Sequence, residues 1–129
     1  MPRKRSPVLT DHELRLMEVL WQSGEATVAD VTAAVGRPPL AYNTVLTTLR
    51  TLEQKGYVAH KEDGRAFVYR PAIARNQAAE SAVRQLLRRR FFGDSPGQLA
   101  VTLLDDRQLT QADIAEIHKA LARKRKSSQ

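Results

Sequence analysis

Between Leu40 and Arg70 the chain reads as a helix, a glycine stop and a basic hairpin, an order that few folds accommodate. Tyr42, Val45, Leu46, Leu49 and Leu52 recur at spacings of three and four, which predicts one apolar stripe on a helix. The opposite face carries Asn43, Thr44, Thr47, Arg50, Thr51, Gln54 and Lys55. A solvated helix surface usually mixes acids with bases, and this face is short-chained, polar and almost free of acids. Asn, Thr and Arg side chains suit the floor of a DNA major groove, where they meet base edges and thymine methyl groups. Gly56 is a natural helix stop. Two β-prone runs follow, Tyr57 to Lys61 and Ala66 to Arg70, joined by a turn containing Asp63-Gly64. The pattern predicts a recognition helix followed by a wing.

The remainder upstream fits the same plan. Thr10 is an N-cap candidate with Glu13 three residues on, as in a capping box. Leu14, Met17, Val19, Leu20 and Trp21 supply the buried side of that first helix, and Ser23-Gly24 ends it. Glu25-Ala26-Thr27 is long enough for one short strand beside the hairpin. Thr27 caps a second helix from Val28 to Val35, with Val28, Val31 and Val35 inward. Gly36-Arg37-Pro38-Pro39 breaks the chain before the third helix begins near Ala41. Two short helices, a tight connection and a third amphipathic helix make a helix-turn-helix core.

After Pro71 alanine and arginine rise and β-branched residues become rare. Ile73 to Phe92 reads as one helix with Ala79, Ala82, Val83, Leu86 and Leu87 on a stripe. Gly93-Asp94-Ser95-Pro96 breaks it, Ser95 caps a shorter helix to about Leu104, and Thr110 caps the last one. The basic tail from Arg123 is expected to fray. Phe91, Phe92, Leu99, Val101, Leu103 and Leu104, with Ile114, Ile117 and Leu121 on the last helix, are more apolar surface than three short helices can hide. Burial between two copies is the economical solution. The dimerisation residues expected are therefore Leu86, Leu87, Phe91, Phe92, Leu99, Leu103, Leu104, Ile114, Ile117 and Leu121. The fold class that follows is mainly α with a small β-wing: a winged helix-turn-helix DNA-binding domain over residues 1–71, and a C-terminal helical dimerisation domain with a basic tail over residues 72–129.

Charge supports a polyanionic partner only locally. The chain has 21 Lys+Arg against 14 Asp+Glu, a net +7. Residues 1–70 hold 10 against 8, and residues 71–129 hold 11 against 6, so the predicted DNA-binding half is the less basic one. There is no cysteine, which removes disulfides, thiolate metal sites and cysteine nucleophiles and fits a reducing compartment. No apolar run approaches the length of a membrane span, and the basic N-terminus lacks the apolar segment of a secretory signal. The expected location is the cytoplasm, with no membrane partner.

The runs LTDHELRLMEVLW, AYNTVLTTLRTLEQKGYV, FFGDSPGQL and LTQADIAEI, in that order, resemble the penicillinase-repressor family, which has copper-responsive repressors among its relatives. The likeness extends from about Leu9 to Leu121. It implies a winged-helix transcriptional repressor that dimerises through its C-terminal helices. Its partner would be a palindromic double-stranded DNA operator of β-lactamase, penicillin-binding-protein or metal-homeostasis genes. Copper-responsive relatives carry paired C-terminal cysteines, which this chain lacks. Some penicillinase repressors are cut at an Asn-Phe pair when a sensor protease fires. Here the aligned pair is Thr102-Leu103, and no Asn-Phe occurs in the sequence.

On these grounds the DNA-binding residues expected are Asn43, Thr44, Thr47, Arg50, Thr51, Lys55, Lys61 and Arg65. Thr47 and Arg50 are set toward bases; Lys55, Lys61, Arg65 and Arg70 are phosphate candidates, which position without specifying sequence. Arg3-Lys4-Arg5 either follows DNA or is a free tail. Trp21 is assigned to the core and Tyr69 beneath the wing. His12, His60 and His118 are scattered, so no metal site is expected, no cofactor is implied, and no constellation for catalysis stands out. The small, alanine-rich helices also suggest no pocket for a drug-sized effector, which leaves induction to a sensor or protease partner. The alternative function is a winged-helix protein-interaction module without specific DNA binding, because a fold does not fix its function.

Overall fold

A capping box opens the first helix of the computed structural model, which describes residues 8–128. Thr10 Oγ1 accepts from the Glu13 backbone N–H at 3.2 Å, and Glu13 Oε1 accepts from the Thr10 N–H at 2.8 Å. Helix α1 then runs Asp11–Ser23 and stops at Gly24, whose φ of 86° is a left-handed conformation that glycine adopts without strain. Strand β1, Ala26–Thr27, leads directly into α2, Val28–Ala34, through a second box in which Thr27 and Asp30 exchange bonds. Arg15 spans from α1 to the turn after α2, its Nη2 donating to the Val35 and Pro38 carbonyls. Helix α3 is Tyr42–Gln54.

The wing is a hairpin of β2, Val58–Asp63, and β3, Ala66–Pro71. Its antiparallel register pairs Val58 with Pro71 and Asp63 with Ala66, so Gly64-Arg65 are the two loop residues and the turn contains the expected Asp63-Gly64. Gly64 has φ of 64° and takes the first loop position, where a tight two-residue hairpin demands a left-handed residue. Strand β1 pairs with β3 through Ala26–Tyr69 and Thr27–Val68, giving the order β1-β3-β2.

Leu16, Met17 and Leu20 of α1, Val31 of α2, and Val45, Leu49 and Leu52 of α3 are fully buried and form the core, closed below by Tyr57, Val58 and Tyr69. Trp21 sits at the edge of this core: it is half-buried, and its Nε1 donates to the Ile73 carbonyl at 2.8 Å. Tyr42 departs from the expected apolar stripe. It is the first residue of α3 and is 52% exposed, because the first turn of the helix projects past the core.

Helix α4 spans Arg75–Arg88. The chain divides into two compact units within this helix, the first ending at Gln85 and the second beginning at Leu86, later than the composition change at Pro71. The reason lies in the first unit, where Ala78 of α4 is buried in the core. α4 stops four residues short of the expected Phe92. The N–H groups of Arg89 and Arg90 reach back only three residues, to Leu86 and Leu87, and Arg90 then turns left-handed at φ 66°. In the second unit α5, Pro96–Leu104, begins at the Ser95 cap, with Ser95 Oγ accepting from Gln98 N–H at 3.1 Å. α6, Gln111–Ser127, opens on a Thr110–Asp113 box and continues through the tail where fraying was expected. Among its described residues this unit buries none.

Candidate nucleic-acid interface

The outward side of α3 presents Asn43, Thr44, Thr47 and Arg50 to solvent. Asn43, Thr44, Thr47 and Thr48 line one shallow depression, and Thr48 Oγ1 turns back to donate to the Thr44 carbonyl at 2.7 Å. That bond fixes the hydroxyl of Thr48 and leaves the neighbouring Asn and Thr groups as the accessible donors and acceptors. Thr51, expected among them, is half-buried and so contributes less of its side chain to this face.

Beside it, a groove of about 340 Å³ separates α3 from the wing. Arg50 from α3 and Arg65 from the hairpin loop both line it, so the structure brings together two cations 15 positions apart in the chain. Neither forms an ion pair among the described residues. Tyr42 and Phe67, both exposed, add apolar surface to the same groove. Sequence reasoning missed them as groove-lining residues: the helical period assigns Tyr42 to the core, and alternation along β3 does not distinguish a wing face from a core face.

The one acid of α3, Glu53, is not among the residues that line that groove and is engaged by His60. Its Oε1 lies 2.7 Å from His60 Nδ1 on β2, and the His60 ring stands against Phe67 and Tyr69 at centroid distances of 4.9 and 5.4 Å. Tyr69 is buried beneath the wing as expected, and burial, reinforced by the Glu53 charge, raises its hydroxyl pKa above 10.0.

Among the phosphate candidates, Arg65 and Arg70 are exposed. Lys61 is exposed too, with Glu25 Oε2 at 3.6 Å. Lys55 corrects the sequence reading. Its ammonium is withdrawn into the protein, 2.7 Å from Glu13 Oε1 and 3.2 Å from the Val8 carbonyl. A side chain that ends in a buried ion pair cannot also extend to a phosphate. The Arg3-Lys4-Arg5 cluster lies outside the described residues.

Of the expected dimerisation residues, Leu86, Phe91, Leu103, Leu104 and Leu121 are exposed in the single chain, and Leu87, Phe92, Leu99, Ile114 and Ile117 are partly covered. No group of three His, Cys, Asp or Glu side chains is placed to hold a metal among the described residues, and no helix there is long and apolar enough to cross a membrane. The expectation of no effector pocket is not met: an apolar cleft of about 390 Å³ lies between α1 and the start of α4.

Comparison with known proteins agrees with this geometry. The sequence profile of the penicillinase repressors matches residues 9–123. The penicillinase repressor of Bacillus licheniformis is 28% identical over 119 residues, covering 92% of each chain. An uncharacterized 16.5 kDa protein from the ptsI 3' region of Latilactobacillus sakei is 26% identical over 118 residues, covering 90% of this chain and 80% of that one. The solution structure of the DNA-binding domain of the repressor BlaI superposes with a TM-score of 0.50 at 30% identity, over 58% of this chain and 93% of that domain. The Bacillus licheniformis protein and BlaI are repressors, BlaI with a DNA-binding domain, and the matches to the two curated relatives extend past the wing into the second unit. This chain belongs to the penicillinase repressor family.

Proposed function

We propose that this protein is a sequence-specific transcriptional repressor that binds a palindromic operator as a homodimer and controls genes of the β-lactam response. The observation that carries the reading is the exposed, acid-free face of α3, with Arg50 and Arg65 meeting in one groove beside it. Asn43, Thr44, Thr47 and Arg50 read base edges; Arg65, Lys61 and Arg70 meet phosphates. Tyr42 and Phe67 flank the strand that enters the groove.

Dimerisation belongs to the second unit. Phe91 and Leu103 are 72% and 55% exposed in the single chain, and α5 and α6 bury nothing. An exposed apolar surface of this kind is stabilised by a second copy, and a two-fold protein doubles its contacts on a palindrome. Release depends on another protein, by cleavage in the second unit. The exposed connector from Asp105 to Gln108 is a better substrate than Thr102-Leu103, which lies inside α5, because proteases need extended, mobile backbone. Separated reading heads lose the effective concentration that linkage provides.

The test is selection of bound duplexes from a random-sequence pool, followed by titration at several salt concentrations. An enriched motif with two-fold symmetry, bound with a steep salt dependence, is the expected result. Recovery of no motif, with equal affinity for every duplex, overturns sequence-specific repression and leaves a protein-interaction module.

A further inference from the structure

The cleft between α1 and α4 lies on residues that the DNA reading does not use. Its volume of about 390 Å³ is that of a small-molecule site. The space exists because α4 faces it with Ala78, Ala79 and Ala82, opposite Leu14 and Trp21 of α1. Larger side chains at those three positions would fill it. Leu14 is left 40% exposed in the wall, so an apolar occupant would remove wetted hydrocarbon.

Two charged groups border this apolar lining, Arg75 and Glu18. The Arg75 guanidinium is stacked 4.9 Å over the Trp21 ring and forms no ion pair among the described residues. A guanidinium that meets a ring with its face keeps its N–H donors at the edge of its plane, an arrangement suited to a carboxylate. The indole N–H is already committed to the Ile73 carbonyl, so Trp21 offers the occupant a ring face and no donor. Glu18 is exposed, and its charge opposes an anion only weakly through solvent.

We infer that this cleft binds a small aromatic carboxylate, its ring between Trp21 and the alanines of α4 and its carboxylate on Arg75. The ligand therefore bears on α1, whose Glu13 holds Lys55 at the end of the recognition helix. This places a second input beside the protein partner proposed above. Binding itself is independent of the DNA reading.

The experiment titrates the full chain, without DNA, with 4-(trifluoromethyl)benzoate and separately with 4-(trifluoromethyl)benzamide, followed by fluorine NMR. Emission of Trp21, the single tryptophan, gives a second readout at the site. The benzoate is expected to saturate and to bind at least about fivefold more tightly than the amide, the range of one charge-assisted contact. Arg75→Gln should abolish that preference while leaving amide binding intact. Ala79→Leu should weaken both probes by about tenfold by occupying the cleft. Ala79 is an exposed helical position and leucine is a strong helix former, so the variant keeps its fold, checked by thermal melting. Glu18→Gln should tighten the benzoate alone. Absence of saturable binding overturns the inference, as does saturable binding indifferent to both Arg75→Gln and Ala79→Leu. A change in sedimentation mass of the ligand-free protein on Ala79→Leu also overturns it, because it would make the cleft a protein interface.

Discussion

Lys55 Nζ lies 2.7 Å from Glu13 Oε1, and the two side chains expose only 7% and 5% of their surface. The pair joins the first turn of α1 to the last residue past α3, across 42 positions of sequence. Both members are further satisfied. Glu13 Oε1 also accepts from the Thr10 backbone, and Lys55 also donates to the Val8 carbonyl. One carboxylate thus caps α1 and fixes the far end of α3. Such a pair is retained through the cost of breaking it more than through its net gain, since desolvation offsets most of the attraction.

Lys55→Met should therefore destabilise the first unit by about 3 kcal/mol, by stranding a buried carboxylate. Glu13→Leu combined with Lys55→Met should recover most of that loss, because no charge is left unpaired. Urea unfolding of the single and double variants measures the coupling. Single variants that unfold like the parent, with a salt slope of DNA binding lowered by one, would return Lys55 to the phosphate contacts.

Tyr69 makes stability fall at alkaline pH. Burial, with the Glu53 charge, raises its pKa in the folded state, while the unfolded chain keeps the ordinary 10.0. The folded state therefore holds the phenol proton more tightly. The contribution is complete below the unfolded value and is lost as pH rises through the folded one. Tyr69→Phe has no such proton, so the parent-minus-variant difference in unfolding free energy should decline above about pH 10. A difference that is flat from neutral pH into that range contradicts the assignment.

Leu103→Asp separates association from folding. Leu103 is 55% exposed in the single chain, so the substitution leaves the protomer folded, but a carboxylate buried between two copies costs several kcal/mol. Analytical ultracentrifugation at micromolar concentration should show the parent as a dimer and the variant as a monomer with unchanged helicity. A variant that remains dimeric places the interface elsewhere.

Local rules made much of this legible in the sequence. Thr10, Thr27, Ser95 and Thr110 all cap the helices their spacing predicts, because a cap needs only a side chain and a backbone N–H three residues away. The hairpin was legible for the same reason, its turn containing the Asp63-Gly64 pair. What was not legible depends on distant partners. Lys55 lies on the polar side of α3 by period, and nothing near it in sequence reveals that Glu13 waits beside it. Tyr42 follows the apolar period, yet the core ends before the first turn of α3. The α1–α4 cleft could not be read at all, because it is made by the smallness of Ala78, Ala79 and Ala82 opposite residues some sixty positions earlier.

Base-reading and phosphate-binding residues should be distinguishable by how they change affinity. Thr47 and Arg50 lie on the acid-free face of α3, and Arg65 occupies the loop of the wing. Thr47→Ala and Arg50→Ala should each cost about 1–3 kcal/mol on the selected duplex and relax the preferred sequence at one position per half-site. Arg65→Ala should weaken all duplexes alike and lower the salt slope by about one per protomer. Lys61→Ala should do less than Arg65→Ala, because Glu25 lies 3.6 Å from the Lys61 ammonium and already neutralises part of its charge. By the same reasoning Glu25→Gln should strengthen binding to every duplex without altering the motif. Fluorescence anisotropy at four salt concentrations, on the selected duplex and on a scrambled one, separates these outcomes. If Thr47→Ala and Arg50→Ala leave both affinity and motif unchanged in a folded protein, α3 is not the element that reads DNA.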